Sequence, residues 1–353
     1  MKVGLITFHD TTNFGSLLQT YGLYKGIENL GYECEVIDYQ CKSICDRELP
    51  KANDFKSGLR AYVKHLLFDE KKQKYQHLHD FLAHNMKLSA RCYDYNKHEL
   101  NGRYDKFIVG SDIVWGTDIT AGDTTYFLDF VNDGSKKYAY SSSVGNEWNT
   151  EDKIKLKSYL SDFQRIAVRE EESANWVEEL TGDRPVVVCD PTMLLYPDEW
   201  RKLVAPRTSK DEYVLVYFDS PRNECLKAAI KYAKANGLKV FFINYGLPYK
   251  GTKTVRPYRL EDFLSLIYHA NRVFTASYHG LLFSVYFNKP FLYFNRSHKS
   301  RMNTLAGKLG ISSCDGNQVD IENLPDLDYA MVNGKVEQYR QDSIEVLKRF
   351  LSE

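Results

Sequence analysis

Short apolar runs separated by polar, helix-like stretches recur along the first half of the chain. The first run covers residues 3–8, a helical pattern with a glycine stop covers 17–31, and the second run covers 34–39. Further runs lie at 104–109, 137–141, 164–168 and 186–192. Apolar strands that alternate with helices are typical of a parallel sheet. The pattern predicts an α/β domain with a βαβ opening, although its first loop lacks the GxGxxG pattern of dinucleotide-binding proteins.

The same alternation restarts after a polar, proline-containing stretch at residues 197–211. Strands are predicted at 213–218, 239–243, 273–276 and 291–294, with helices at 224–236 and 260–270. A last amphipathic helix is predicted at 336–351, where it packs back on the first half. We therefore expect two Rossmann-like domains, one formed by residues 1–205 together with 336–353 and the other by residues 206–335.

Residues 40–100 differ from both halves because they are polar, helical and rich in charge runs. His77 and His79 lie here, two positions apart, so a helix places them on different faces and makes them a poor metal pair. We interpret both histidines as solvated helix residues.

Charge and cysteine content exclude several classes of partner. The 353 residues include 47 basic and 47 acidic side chains, so no net field favours nucleic acid or an anionic membrane. The seven cysteines form no CxxC pair and no zinc spacing, which indicates reduced thiols. The first residues turn polar too soon for a secretion signal, and no apolar run approaches the roughly 20 residues of a membrane span. We expect a cytoplasmic protein with at most peripheral membrane contact and no nucleic-acid partner.

The stretch at residues 272–294 carries the strongest candidate chemistry. It reads as strand, tight turn, helix and strand, and His279 and Gly280 lie at the start of the helix. The carboxyl end of a strand and the start of a helix favour an anionic ligand, and an imidazole there can also move a proton. The alternative is a histidine that merely caps the helix.

Small polar and charged residues also end the strands of the first half. Gly110-Ser111-Asp112 follows one strand, and Arg169 follows another. A guanidinium at this edge suits bidentate binding of a carboxylate, and the alternative is a structural ion pair with a neighbouring glutamate.

Two loops carry weaker signals. Asn13 and Gly15 lie before the first helix, where they either shape a loop over a ligand or form an ordinary turn. A basic cluster follows the strand at 291–294 and consists of Arg296, His298, Lys299 and Arg301. It suits an anionic ligand, with a solvated loop as the alternative.

Six segments carry a resemblance to a known family. They read NFGSLLQTYGL at 13–23, VGSDIVW at 109–115, SSSVG at 141–145, AVREEES at 167–173, DPTMLL at 190–195 and SYHGLLFSVYFNKPF at 277–291. In this order, over nearly the whole chain, they resemble the polysaccharide pyruvyltransferase family. The resemblance implies a GT-B-like fold in which two Rossmann-like domains face a cleft, with the acceptor on the first domain and the donor on the second. It also implies transfer of the enolpyruvyl unit of phosphoenolpyruvate to a sugar in surface polysaccharide biosynthesis, giving a pyruvate ketal and free phosphate.

The resemblance and the chemistry of the residues together suggest roles for particular positions. His279 corresponds to the family's histidine and would act as an acid or hold the phosphate, and Asp112 is the candidate base. Ser277 stands where characterised members often carry arginine. The expected donor-binding residues are Arg169, Ser277, Gly280, Arg296 and Arg301. The expected acceptor-binding residues are Asn13, Gly15 and Ser111.

The expected partners are therefore phosphoenolpyruvate and a sugar or glycan precursor, without a metal or other cofactor. Two alternatives stay open. One is a GT-B-type glycosyltransferase with a nucleotide-sugar donor. The other is a non-catalytic sugar-binding protein, because 26 tyrosines and 19 phenylalanines are available to stack on sugars. Binding of phosphoenolpyruvate, of a nucleoside diphosphate or of neither distinguishes the three.

Overall fold

The structure is a computed structural model that describes residues 1–48, 59–218, 224–295, 299–321, 324 and 326–353, without the side chains of 59–68 and 299–300. The chain forms two units, each built on a parallel sheet. The first comprises Met1–Leu49, His79–Leu195 and Gln338–Glu353, and the second comprises Pro50–Leu78 and Tyr196–Glu337. The predicted α/β class with two parallel sheets is confirmed. The cleft between domains stays a prediction.

The first unit contains a six-stranded sheet in the order β2-β1-β3-β4-β5-β6. Its strands are β1 (Lys2–Ile6), β2 (Glu33–Val36), β3 (Lys106–Val109), β4 (Lys137–Ser142), β5 (Arg165–Val168) and β6 (Val186–Val187). The central strand β3 is buried at every position. A parallel sheet that is covered on both faces requires such uninterrupted apolar strands, which is why they stand out in the sequence.

The second unit contains a five-stranded parallel sheet in the order β11-β10-β7-β8-β9. Its strands are β7 (Tyr213–Tyr217), β8 (Lys239–Ile243), β9 (Lys253–Val255), β10 (Arg272–Thr275) and β11 (Phe291–Tyr293). Relative to their order in the chain, these strands follow the Rossmann order 3-2-1-4-5 without the sixth strand. All four strands predicted for the second half have counterparts here, and β9 was not predicted.

Helices connect the strands in both units. They are α1 (Phe14–Asn29), α2 (Lys42–Glu48), α3 (Leu59–Asn85), α4 (Thr117–Thr120), α5 (Thr150–Ser161), α6 (Glu171–Thr181), α7 (Pro197–Arg201), α8 (Glu224–Ala235), α9 (Leu260–Tyr268), α10 (Tyr278–Tyr286), α11 (Lys299–Leu309) and α12 (Tyr329–Ser352). Helix α1 packs closely on a 3₁₀ turn at Pro191–Leu194. A Cβ at Gly22 would lie 2.5 Å from the Pro191 carbonyl oxygen, so only glycine permits this approach.

The C-terminal part of α12 completes the first unit, as predicted. Lys106 Nζ donates a hydrogen bond to the carbonyl oxygen of Phe350 at 2.6 Å. Ser343 accepts from the Tyr140 hydroxyl through its carbonyl at 2.9 Å, and from the Cys189 N–H through its Oγ at 2.9 Å. These bonds join the helix to β3, to β4 and to the segment after β6.

Candidate functional site

Strand order identifies the ligand edge of each unit. In open α/β sheets, ligands bind beyond the carboxyl ends of the strands, at the point where the strand order reverses. In the first unit the order reverses between β1 and β3, and in the second it reverses between β7 and β10. The segments that follow these four strands are therefore the places to look for a site.

His279 lies at the reversal point of the second unit. It is the second residue of α10, which begins three residues after β10 ends at Thr275. Ser277 caps this helix, because its Oγ accepts a hydrogen bond from the Gly280 N–H at 3.3 Å. The His279 ring is buried, with 8% exposure of the residue, and meets the Tyr278 ring edge to face at 5.4 Å. The unit thus holds an imidazole at a helix start, where the dipole favours anions.

Gly280 is required by the close packing of this turn. A Cβ at Gly280 would lie 2.3 Å from Thr275 Oγ1 and 3.0 Å from Cδ1 of Tyr217, the last residue of β7. The same Thr275 Oγ1 accepts a hydrogen bond from the Ser277 N–H at 3.0 Å. The turn that positions His279 therefore has no room for a side chain at residue 280.

The basic cluster after β11 is described only in part. Arg296 and His298 lie outside the described residues, and Lys299 is described only by its place in α11. Arg301 is half-buried on α11. The donor-binding roles expected of Ser277, Gly280, Arg296 and Arg301 stay predictions.

A buried hydrogen-bond network joins β1, α1 and β3 at the reversal point of the first unit. Gln19 Nε2 donates to Thr7 Oγ1 at 2.9 Å, and Gln19 Oε1 accepts from the Ser111 N–H at 3.0 Å. Thr7 Oγ1 donates to the Ser111 carbonyl oxygen at 3.0 Å. Ser111 is fully buried, so its main chain anchors the loop, and the acceptor-binding role expected of it stays a prediction.

Asp112 follows Ser111 in the chain, and each of its two carboxylate oxygens accepts a hydrogen bond. Ser16 Oγ donates to Asp112 Oδ2 at 2.5 Å, and the Ile113 N–H donates to Oδ1 at 2.9 Å. The backbone of Asp112 is left-handed, with φ 70°, and its side chain is 15% exposed. This is a fixed carboxylate, partly open to solvent, at the ligand edge of the first unit.

Arg169 directly follows β5, and its side chain is more buried than that of Asp112. Its Nη1 donates to Asp190 Oδ2 at 2.8 Å, and the two side chains are 1% and 0% exposed. Glu170 Oε2 lies 3.6 Å from Arg169 Nε, and Asp112 Oδ1 lies 3.9 Å from Arg169 Nη2. The close ion-pair partner is therefore Asp190 rather than a neighbouring glutamate. Donor binding by Arg169 stays a prediction.

Asn13 and Gly15 form the start of α1. Asn13 is the N-cap residue, and its Oδ1 accepts from the Gly15 N–H at 2.8 Å. Asn13 is exposed and Gly15 is buried. Their local role is helix capping, and their expected role in acceptor binding stays a prediction.

The sequence interpretation missed a buried imidazole beside this loop. His9 Nδ1 lies 3.1 Å from the Thr7 carbonyl oxygen, and His9 Nε2 lies 3.1 Å from Asp38 Oδ1. Both neighbours are acceptors, so only the doubly protonated ring satisfies both. Burial opposes that charge, but the hydrogen bond and charge of Asp38, together with the charge of Asp10, outweigh it and raise the pKa of His9.

A second histidine, His79, contacts Asp10, which directly follows His9 in this loop. His79 Nδ1 lies 3.5 Å from Asp10 Oδ1, and the Asp10 side chain is 6% exposed. His77 is exposed, as predicted. The His79 side chain is 31% exposed, and its contact with Asp10 was not predicted. Adjacent His9 and Asp10 directly after a predicted strand were the available sequence signal.

Comparison with known families decides which class of protein this is. The family described as polysaccharide pyruvyl transferase matches residues 13–298. The chain belongs to this family. Membership indicates a transferase of polysaccharide biosynthesis, and the matched residues include Asp112, Arg169 and His279.

Solved structures give more distant likenesses, and no curated protein matches the chain. UDP-GlcNAc 2-epimerase from Neisseria meningitidis bound to UDP-GlcNAc is 12% identical, with 99% of each chain covered and a TM-score of 0.49. MurG from Acinetobacter baumannii is 11% identical, with 99% of this chain and 98% of that chain covered and a TM-score of 0.41. Likenesses at this level carry no information on substrate.

The described residues contain neither a metal-binding cluster nor a membrane-spanning helix. Across the described ranges, no three His, Cys, Asp or Glu side chains are arranged to hold a metal ion. In that same part of the chain, no helix is long and apolar enough to span a bilayer.

Proposed function

We propose that this member of the family transfers a pyruvyl group from phosphoenolpyruvate to a sugar and forms a pyruvate ketal. The observation that carries the proposal is His279, inside the family match, at the start of α10 where the strand order of its unit reverses. Phosphoenolpyruvate carries a phosphate and a carboxylate, both of which suit a helix start.

The chemistry requires one proton donor and one proton acceptor. The methylene carbon of phosphoenolpyruvate gains a proton and becomes the ketal methyl group, so the adjacent carbon becomes electrophilic. Two sugar hydroxyls form bonds to that carbon and lose their protons, while the bond to the phosphate oxygen breaks. The departing phosphate takes up one proton equivalent, so atoms and charge balance.

We assign the proton donor to His279, because an imidazole ring nitrogen can donate a proton and general acids of this type contribute about 10²–10⁴-fold to rate. We assign the proton acceptor to Asp112. Its two oxygens accept hydrogen bonds from Ser16 and Ile113, which fix the carboxylate in place, and its side chain is partly exposed.

Ligand-induced stabilisation tests the donor. Phosphoenolpyruvate at about 100 times its dissociation constant should stabilise the protein by roughly 2.7 kcal/mol, whereas uridine diphosphate should not. The measurement is the shift in Tm with each ligand. Stabilisation by uridine diphosphate alone would contradict the proposal and support a nucleotide-sugar glycosyltransferase.

Substitution of His279 tests the acid. His279→Gln should abolish phosphate release from phosphoenolpyruvate in the presence of sugar acceptors, and circular dichroism should show an unchanged fold. The matched control is His84→Gln, at an exposed position near the end of α3. Full turnover by His279→Gln, or loss of turnover only through unfolding, would contradict the assignment of this histidine as the acid.

A further inference from the structure

A pocket lies beyond the carboxyl end of β2 in the first unit. It has a volume of about 720 Å³, within the roughly 300–1,000 Å³ of small-molecule sites. Three segments surround it, at residues 39–46, 93–97 and 120–129. Neither Asp112 nor Arg169 is among the residues that line it. This pocket is therefore distinct from the ligand edge described above.

The pocket has a stacked aromatic rim. The rings of Tyr93 and Tyr95 are 5.4 Å apart between centroids and inclined by only 9°. Tyr95 is 80% exposed and Tyr93 is 38% exposed. An exposed flat ring is a good platform for the apolar C–H face of a pyranose, because the ring is rigid and loses little entropy on binding.

The floor of the pocket carries carboxylates that are already fixed in place. Asp123 Oδ2 accepts from the Tyr39 hydroxyl at 2.6 Å, and Asp123 Oδ1 accepts from the Thr125 N–H at 2.9 Å. Asp129 Oδ2 accepts from Lys97 Nζ at 2.9 Å and from Thr124 Oγ1 at 2.6 Å. Carboxylates held in this way can accept hydrogen bonds from sugar hydroxyls without further ordering.

The charge of the pocket lining determines which kind of ligand can stack on the tyrosine rings. The lining contains four aspartates, at 46, 94, 123 and 129, and two lysines, at 42 and 97. Lys97 is already committed, because its Nζ lies 2.8 Å from Asp94 Oδ1 and 2.9 Å from Asp129 Oδ2, and its side chain is 6% exposed. The excess of negative charge disfavours phosphates and carboxylates. A neutral, hydroxyl-rich ring fits this lining better than an anion does.

From these contacts we propose that the pocket binds a neutral pyranose of the acceptor glycan, with one face on the Tyr95 ring and its hydroxyls on the aspartates. The inference deepens the proposed function, since it rests on a sugar acceptor. It does not depend on which donor the protein uses, because the negatively charged pocket is proposed for the sugar alone and not for an anionic donor.

Saturation-transfer NMR on the full chain tests the pocket. The probes are the methyl glycosides of galactose, glucose, mannose and N-acetylglucosamine. At least one should receive saturation from the protein, and Tyr95→Ala should weaken its binding about tenfold. Tyr95→Phe keeps the ring and should bind normally. Ile154→Ala, which truncates another exposed apolar side chain of this unit (76% exposed), is the control and should also bind normally.

Two outcomes would overturn the inference. One is that none of the four glycosides binds, and the other is that binding is equal in Tyr95→Ala and the wild type. The Tm shift caused by phosphoenolpyruvate is measured on the same variants. A normal shift without glycoside binding rejects the pocket alone, whereas glycoside binding without the shift rejects the proposed donor alone.

Discussion

The guanidinium of Arg169 donates to the carboxylate of Asp190 at 2.8 Å, and both side chains are almost completely shielded from water. Asp190 also accepts from the N–H and the hydroxyl of Thr192, at 3.0 and 2.8 Å. The pair therefore links the end of β5 to the turn on which α1 packs. A buried pair of this kind is expensive to break, because removal of one partner leaves the other charge uncompensated.

Asp190→Asn should lower the free energy of unfolding by about 3–5 kcal/mol. Chemical denaturation of the purified variant measures the change. The control is Arg184→Gln, whose guanidinium pairs with Glu171 and Glu178 at the surface, with about 44% of each side chain exposed. That change should cost less than about 1 kcal/mol. Equal losses in the two variants would contradict a structural role for the buried pair.

Gly280→Ala should disrupt the turn that positions His279. The new methyl group would meet Thr275 Oγ1 and the Tyr217 ring, and overpacking of this kind typically costs about 1–3 kcal/mol. We expect a lower Tm and a weaker response to phosphoenolpyruvate. The matched control is Gly307→Ala on α11, where a Cβ meets nothing within 4 Å. That change should be neutral or stabilising, and a loss at residue 307 equal to the loss at 280 would reject this reasoning.

Ser277→Arg should restore the guanidinium that many family members carry before the histidine. If phosphoenolpyruvate is the donor, its dissociation constant should fall, because arginine binds carboxylates and phosphates bidentately. The loss of the Ser277 cap should cost about 1 kcal/mol of stability. Calorimetric titration of phosphoenolpyruvate into Ser277→Arg and Ser277→Lys measures both dissociation constants. The comparison separates bidentate binding by a guanidinium from the effect of a single positive charge. Weaker binding by the arginine variant in a folded protein would contradict a donor site at this helix start.

The His9–Asp38 pair should make stability depend on pH. Burial opposes the charge on each group, but their mutual attraction raises the pKa of His9 above its ordinary value of 6.5 and lowers the pKa of Asp38 below its ordinary value of 3.8. The His9 contribution is therefore complete below pH 6.5 and is lost as pH rises through the raised pKa. The Asp38 contribution is present above pH 3.8 and is lost as pH falls through the lowered pKa.

His9→Gln should accordingly lower Tm most at about pH 5.5, and the deficit should shrink towards about pH 9. Melting curves over this range, with His84→Gln as the exposed control, provide the measurement. A deficit that is constant or that grows with pH would show that His9 is not held as an imidazolium.

Much of the fold was predictable because the central strands of both sheets, such as β3 and β7, are buried at every position and therefore give continuous apolar runs. Residues 239–243 were predicted as a strand, and β8 has these bounds. The predicted strand at 273–276 is shifted by one residue from β10, since Arg272 still pairs with Val214. Strand β9 was missed because Lys253, Thr254 and Val255 are exposed or half-buried, so they carry no continuous apolar signal.

The contacts of the candidate sites were much less predictable because they join distant parts of the chain. Arg169 was correctly placed at the end of a strand, but nothing local indicates Asp190 rather than its own glutamates as the partner. His79 meets Asp10 only because a long helix returns to the first sheet. The Tyr93–Tyr95 rim likewise becomes visible only when residues 39–46 and 120–129 are brought beside it.

The division of the chain between its two units has a consequence for synthesis on the ribosome. Every strand of the second sheet has been translated by residue 293, whereas the first unit still lacks the segment Gln338–Glu353. That segment supplies the bonds of Ser343 and Phe350 to the first sheet. Translation usually lets the N-terminal domain of a protein mature first. Here all six strands of the N-terminal sheet are translated early, but the first unit stays incomplete until residues 338–353 have left the exit tunnel.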